Sequence, residues 1–352
     1  MSIRSCLFLA AALAASVVLA QPATTSVKPT TVTYQKPTAV LGEVAAELSK
    51  SGAGVAVAAE GAAAKAKCPA AFAGVPFWEA LESAAAKSQT RIDVRDGGRA
   101  VALVPLAGRS PPPSSVAGAF RVVAREVTGR ALLDEGTVAH AVHLTAHWEP
   151  RVPVYRIDIY PRVTEAKDDR GAALAVPPRA ARDYPVGSRH DLTVEQVTGL
   201  TRDSRRIATL RGEFRAVVAD RLLTVPFTAL AGKFPAEQVA GGVKVTLKAF
   251  EKDGETWNAE LALEYPAGHP TFESFEEQKW LRDTRLRLVS PLAKPLDPDS
   301  EEVVAAGRFV TATYRFKTNA DPRGKGWSLV CETPGPLTEV TVPFTLKNIA
   351  IP

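Results

Sequence analysis

Cysteine is scarce in this sequence: three in 352 residues, at positions 6, 68 and 331. Cys6 precedes an apolar run and is not placed like a lipid-anchor cysteine. Cys68 and Cys331 are then left, and nothing in their spacing shows that they meet. Trp327, Leu329 and Cys331 alternate on one strand face, so two separate buried thiols packing as small hydrophobes is the preferred reading. A disulfide stays the alternative in an oxidising compartment. Long apolar runs are missing after residue 20, so no helical membrane anchor is expected in the mature chain. Charge of one sign is not concentrated either. The formal net charge is +5, acids and bases are interspersed, and the densest basic cluster, Arg202 with Arg205 and Arg206, reads as a solvated loop. No nucleic-acid partner is expected; the small basic excess would at most favour an anionic envelope surface.

What is present begins with a leader. Arg4 supplies a positive n-region, Cys6–Leu19 an apolar run too short for a comfortable span, and Val18-Leu19-Ala20 a small-residue cleavage site. Residues 1–20 are therefore expected to be a signal peptide, cleaved after Ala20. The mature chain would start at Gln21 and carry +4, because Arg4 is lost from the +5 of the full sequence. The expected location is periplasmic or secreted.

Residues 31–106 carry alternating helix and strand signals. TVTYQ (31–35) reads as a strand and TAVLGEVAAELSKSG (38–52) as a helix, with Val40, Leu41, Val44 and Leu48 on one face and Gly52 at the C-terminal cap. Strands follow at GVAVAA (54–59) and around Lys67–Ala73. Pro76 opens a second helix, PFWEALESAAAKS (76–88), at a first-turn position where its missing N–H costs nothing. RIDVR (91–95) and RAVALVPL (99–106) flank Asp96-Gly97-Gly98, a hairpin signal. The order, strand-helix-strand-strand-helix-strand-strand, defines a small α+β domain.

That order, and the residues filling it, resembles the short N-terminal domain (STN) of secretins and TonB-dependent transducers. The marks are VTYQKPTAVLGEVAAELSKSG, FAGVPFWEALESAAAKSQ and RIDVRDGGRAVALVP, about a fifth of the chain. Any small α+β domain of this length is the alternative. The resemblance implies a periplasmic contact surface: a pore mouth in secretins, a docking face for a membrane-bound regulator in transducers. It implies no catalytic residues. The sequence departs from both families in having no pore or barrel domain after residue 106, so secretion and iron-signalling roles do not carry over.

Residues 107–115, within AGRSPPPSSVAG, form a Pro/Ser-rich linker, which would make the preceding domain a movable head. Beyond it, short alternating runs such as VHLTAHW (142–148), YRIDI (155–159), WNAELALEY (257–265), FVTATYRF (309–316) and VTVPFTL (340–346) read as half-buried antiparallel strands. Trp148, Trp257 and Trp327 take the inward parity. TVPFT occurs at 224–228 and again at 341–345, an offset of 117 residues, and HWEP and LEYP lie 116 apart. Two tandem immunoglobulin-like β-sandwiches, 116–231 and 238–352, are the preferred division. One larger irregular β domain with a chance pentapeptide is the competing one. SFEEQKW (274–280) has capping-box spacing for a one-turn helix.

Motifs for catalysis are few. His140, His143 and His147 of HAVHLTAHW invite a metal, but strand alternation sets residues four apart roughly 13 Å from each other, so histidines on the solvent face of a strand are expected. Asp168 and Asp169 sit where a tight turn wants them. Asp297, Asp299, Glu301 and Glu302 lack the glycine-turned loop of an EF-hand. Asp253-Gly254 reads as another hairpin turn. No HExxH, G-x-S-x-G, P-loop or dinucleotide fingerprint occurs, and Gly187-Ser188-Arg189-His190 lies in a Pro/Arg-rich loop without an elbow's glycine frame. The expectation is a non-catalytic exported protein without cofactor or metal, acting in protein–protein interaction or as a scaffold, with an envelope protein as partner. A polysaccharide or peptidoglycan binder is the alternative, and a hydrolase a third. Trp78, Phe272 and Trp280 are the candidate surface aromatics, with burial in the core as the competing role for each.

Overall fold

The computed structural model describes residues 27–352 except 135, 186–188, 220, 269 and 271–282. The leader, Phe272, Trp280 and the helix expected at 274–280 lie outside the described residues. The chain is mostly β, and among the described residues no helix is long and apolar enough to cross a membrane.

The N-terminal unit runs β1 (Thr31–Lys36), α1 (Leu41–Ser49), β2 (Ala56–Ala59), β3 (Ala70–Pro76), α2 (Phe77–Lys87), β4 (Thr90–Arg95) and β5 (Ala100–Pro105). Val40 caps helix α1, its amide donating to the carboxylate of Glu43 at 3.3 Å, and the helix buries Leu41, Val44, Ala45 and Leu48. Pro76 is the cap of α2 rather than its first helical residue, so β3 passes into α2 with no intervening loop. β1 pairs with β3, and β5 lies between β2 and β4, parallel to the former and antiparallel to the latter. Asp96-Gly97-Gly98 makes the β4–β5 turn with all three residues at positive φ, which explains the two glycines. Phe77, Trp78, Leu81 and Leu103 complete the core.

Next come β6 (Ser114–Ala117), β7 (Phe120–Leu132), β8 (Thr137–Trp148), β9 (Val154–Asp158), β10 (Arg162–Asp168), β11 (Asp183–Pro185), β12 (Arg189–Val197) and β13 (Arg206–Ala219). They are followed by β14 (Leu222–Phe227), β15 (Ala236–Ala240), β16 (Val243–Asp253), β17 (Thr256–Glu264), β18 (Arg285–Val289), β19 (Pro295–Leu296), β20 (Ser300–Ala306), β21 (Phe309–Lys317), β22 (Ser328–Pro334) and β23 (Leu337–Ala350). Four sheets result, ordered β12-β8-β7-β6, β10-β13-β9-β11 with β23 on β13, β14-β22-β18-β19, and β15-β16-β17-β21-β20. The first two share a core around Phe120, Trp148, Phe214 and Phe344. The last two share another around Trp257, Leu261, Phe316 and Cys331. Trp148 and Trp257 are buried as their parity requires, and Trp327 packs half-buried on the second core. Cys68 and Cys331 are both free and buried, in different cores.

Two strands cross the division expected at 231–238. β14, which holds all but the last residue of the first TVPFT, pairs with β22 and sends Val225 and Phe227 into the second core. β23, which holds the second, pairs with β13 from Arg206↔Ala350 to Ala219↔Leu337 and sends Val342 and Phe344 into the first. Alternation makes each segment a strand, but it does not say which sheet takes it. The two copies of the pentapeptide are therefore exchanged between the β units.

Nor is the N-terminal unit on a loose tether. Ser114 and Ser115, the last residues of the expected linker, open β6, and the carbonyl of Pro113 accepts the amide of Ala124. Trp78 is fully buried and donates its indole N–H to the carbonyl of Ala119 at 3.1 Å. Arg121, itself buried, pairs with Glu82 at 2.7 Å, and the same carboxylate oxygen accepts the Ser114 hydroxyl at 2.6 Å. Glu149, 0% exposed, accepts the amide of Thr30 at 3.0 Å, its hydroxyl at 2.5 Å and the guanidinium of Arg151 at 2.6 Å. Buried, charge-assisted bonds of this kind are directional and so fix an orientation.

Candidate functional site

Of the candidate surface aromatics, only Trp78 is among the described residues. It lies inside the junction just described, so its ring is not offered to a ligand. The histidines of β8 also differ from expectation. Strand alternation correctly turns Val142, Leu144 and Trp148 inward, yet His147 on the opposite face is buried too, because α2 covers that face and brings the Trp78 ring within 6.5 Å. Burial, together with Arg121, Arg125 and Arg189, pulls the His147 imidazole down to about 3, so the ring is neutral and uncharged in its place. His143 bonds Thr128 at 3.3 Å instead of approaching a second ligand. Among the described residues, no three His, Cys, Asp or Glu are grouped as a metal would need.

The acidic turns are occupied structurally. Burial raises the Asp168 carboxyl, but the amides of Ala172 and Arg170 and the hydroxyl of Ser204 outweigh it and hold the group below the ordinary carboxylate range. Asp169 accepts the amide of Arg205. Asp297 pairs with Arg287 at 3.0 Å and Asp299 accepts the Lys317 amide at 2.6 Å.

The concave site lies elsewhere, in the first β unit, where the end of β9, the middle of β13, the start of β10 and the edge strand β12 meet. It is a cleft of about 450 Å³, within the range of pockets that take ligands. Asp158 shapes one wall: its Oδ1 accepts the amides of Tyr160 at 3.1 Å and Arg182 at 3.0 Å, tying the β9–β10 turn to the segment before β11. Val176-Pro177-Pro178 forms another wall, extended because both prolines fix φ. Arg179 then turns back, lies 5.7 Å over the Tyr160 ring and pairs with Glu195. Glu195 sits in a bulge of β12 between Val194 and Val197, beside Gln196 at φ +55°. Such a bulge re-aims a side chain that plain alternation would place differently.

Val163, Val194 and Phe214 give the cleft apolar surface, and its polar rim is balanced: Arg162, Arg179 and Arg215 against Asp158, Glu195 and Glu213. Arg162 meets Glu213 at 3.4 Å, while Arg215 stands 4.0 Å from Asp158 and 3.6 Å from Glu339. The described lining contains no Ser, Cys, His or Lys; its hydroxyls are those of Tyr160, Thr193 and Thr341, and its carboxylates Asp158, Glu195 and Glu213 are engaged as described. The arrangement is suited to recognition by charge and shape. None of these six charged residues stands out in the sequence, since partners such as Arg162 and Glu213 are far apart along the chain. The Pro/Arg-rich composition around 177–189 is the one local signal.

No family model matches the chain, and neither does any curated protein or solved structure.

Proposed function

We propose that the chain is an exported, non-catalytic interaction or scaffold protein of the cell envelope, built from an STN-like head and two immunoglobulin-like sandwiches. The leader-like residues 1–20 support the compartment. The order of elements over residues 31–105 supports the resemblance to the secretin and transducer domain. The observation that carries the interaction role is the balanced, half-exposed cleft of the first sandwich, which offers charge, aromatic and proline surface side by side.

The head shares buried bonds with the first sandwich, so the test uses the whole mature chain. Immobilised and cross-linked in envelope extract, it should retain a defined set of envelope proteins that excess free chain competes away. Recovery of nothing above background would refute the role.

A further inference from the structure

The cleft does not end at Glu195. Thr193 and Glu195 also line a second trough of about 170 Å³ on the outer face of the β7–β8–β12 sheet, with Thr128, Gly129, Arg130, His143 and Gln196. The two hollows meet across the edge of β12. From this continuity, and from the charges along it, we infer that they form one groove for an extended peptide segment bearing acidic and basic side chains in alternation. This rests on the interaction role proposed above and names the chemistry of the partner.

An occupant that reaches both hollows passes over an edge strand, which a compact ligand does not do. Three features then select its chemistry. Among the described residues, guanidinium and carboxylate groups are equal in number around the cleft and the trough adds one guanidinium, Arg130, so a polymer of one charge would meet at least three repelling groups, each juxtaposition costing it affinity. The internal pairs are easily exchanged: the Arg162 side chain is 79% exposed and that of Arg179 40%. Pairs of that exposure contribute at most about 1 kcal/mol in water, and a ligand that covers them would strengthen whatever pairs it forms.

The third feature is the state of the β12 edge. The amide of Thr193 donates to Ile159 and the amide of Thr198 to Ala175, at 3.0 Å and 2.9 Å. The edge is thus closed on both sides of the bulge, and a peptide cannot simply add a strand there. Its side chains must supply the affinity. Gly129 keeps the trough open at its far end, since a Cβ there would press on the His140 ring at 3.3 Å.

The test uses fluorescein-labelled peptides and the full mature chain, read by fluorescence anisotropy. A short peptide alternating Glu and Lys should bind, and its affinity should fall as salt is raised. All-Glu, all-Lys and Gly-Ser peptides of the same length should bind about tenfold more weakly or worse. Arg179→Ala and Glu195→Gln should each weaken the alternating peptide about tenfold, while Lys248→Ala, on the other β unit, should change nothing. Melting curves show whether each variant folds; if Arg179→Ala does not, Arg162→Ala replaces it. Equal binding by a single-sign peptide, no binding by the alternating one, or unchanged affinity in folded cleft variants would overturn the assignment. Capture of envelope proteins that survives Glu195→Gln would leave the interaction role standing and remove the groove from it; failure of the unaltered chain to capture anything would remove the role itself.

Discussion

Phe344 and Phe227 occupy the same place in the two TVPFT copies, and the strand exchange predicts crossed consequences for truncating them. Phe344 is buried in the first core, where its ring lies on Gly212 across the β13–β23 ladder: a Cβ at Gly212 would stand 2.8 Å from its Cζ. Phe344→Ala therefore opens a cavity and exposes bare glycine backbone in mid-sheet. Removing a buried phenylalanine costs about 3–5 kcal/mol, a large part of the roughly 5–15 kcal/mol that holds a domain together. Hydrogen exchange should speed up about a hundredfold or more in β7 and β8, more than a hundred and eighty residues before the substitution in chain order. Phe227→Ala should do the reverse, loosening β16 and β17 while β7 and β8 keep most of their protection, because Phe227 belongs to the second core. Mass spectrometry of peptic fragments reads both patterns. Loosening of β16 and β17 by Phe344→Ala, with β7 and β8 unchanged, would refute the exchange.

His147 and the two thiols give further predictions. The folded imidazole titrates at about 3, against 6.5 for an unperturbed ring. Between these values the unfolded chain binds the extra proton, so this contribution to stability is complete above about pH 6.5 and is lost as pH falls through the window. Roughly 2 kcal/mol should disappear between about pH 7 and pH 5. In His147→Gln the urea midpoint should shift less over that range, and an equal shift would sink the assignment. Burial raises the Cys68 thiol and pushes Cys331 up to about 12, with Glu332 adding to the latter. Neither should react with a maleimide at neutral pH in the native protein, and both should react in denaturant; labelling of the native chain would contradict their burial.

Local order was legible where spacing alone decides it. Leu41, Val44 and Leu48 mark the buried side of α1, Asp96-Gly97-Gly98 marks a turn, and Trp148 and Trp257 face inward by parity. Partnership was not legible. Alternation assigns His147 to the face opposite Trp148, but it does not disclose that α2 covers that face. Two identical pentapeptides look like equivalent members of successive units, and only the ladder reveals which sheet each completes. The cleft was hidden for the same reason: Arg179 finds Glu195 and Arg162 finds Glu213 through folding, and each residue alone resembles any surface charge.

The ladder between β13 and β23 also bears on the order of events during synthesis. A ribosome finishes β13 well before β23, which follows every other described strand. Units often fold as they emerge, yet here the first β unit lacks a core strand until the last one arrives. Until then β13 presents an open edge, a hazard for association with other chains. A chain that lacks β23 therefore leaves its first β unit incomplete, and so open to chaperones and proteases.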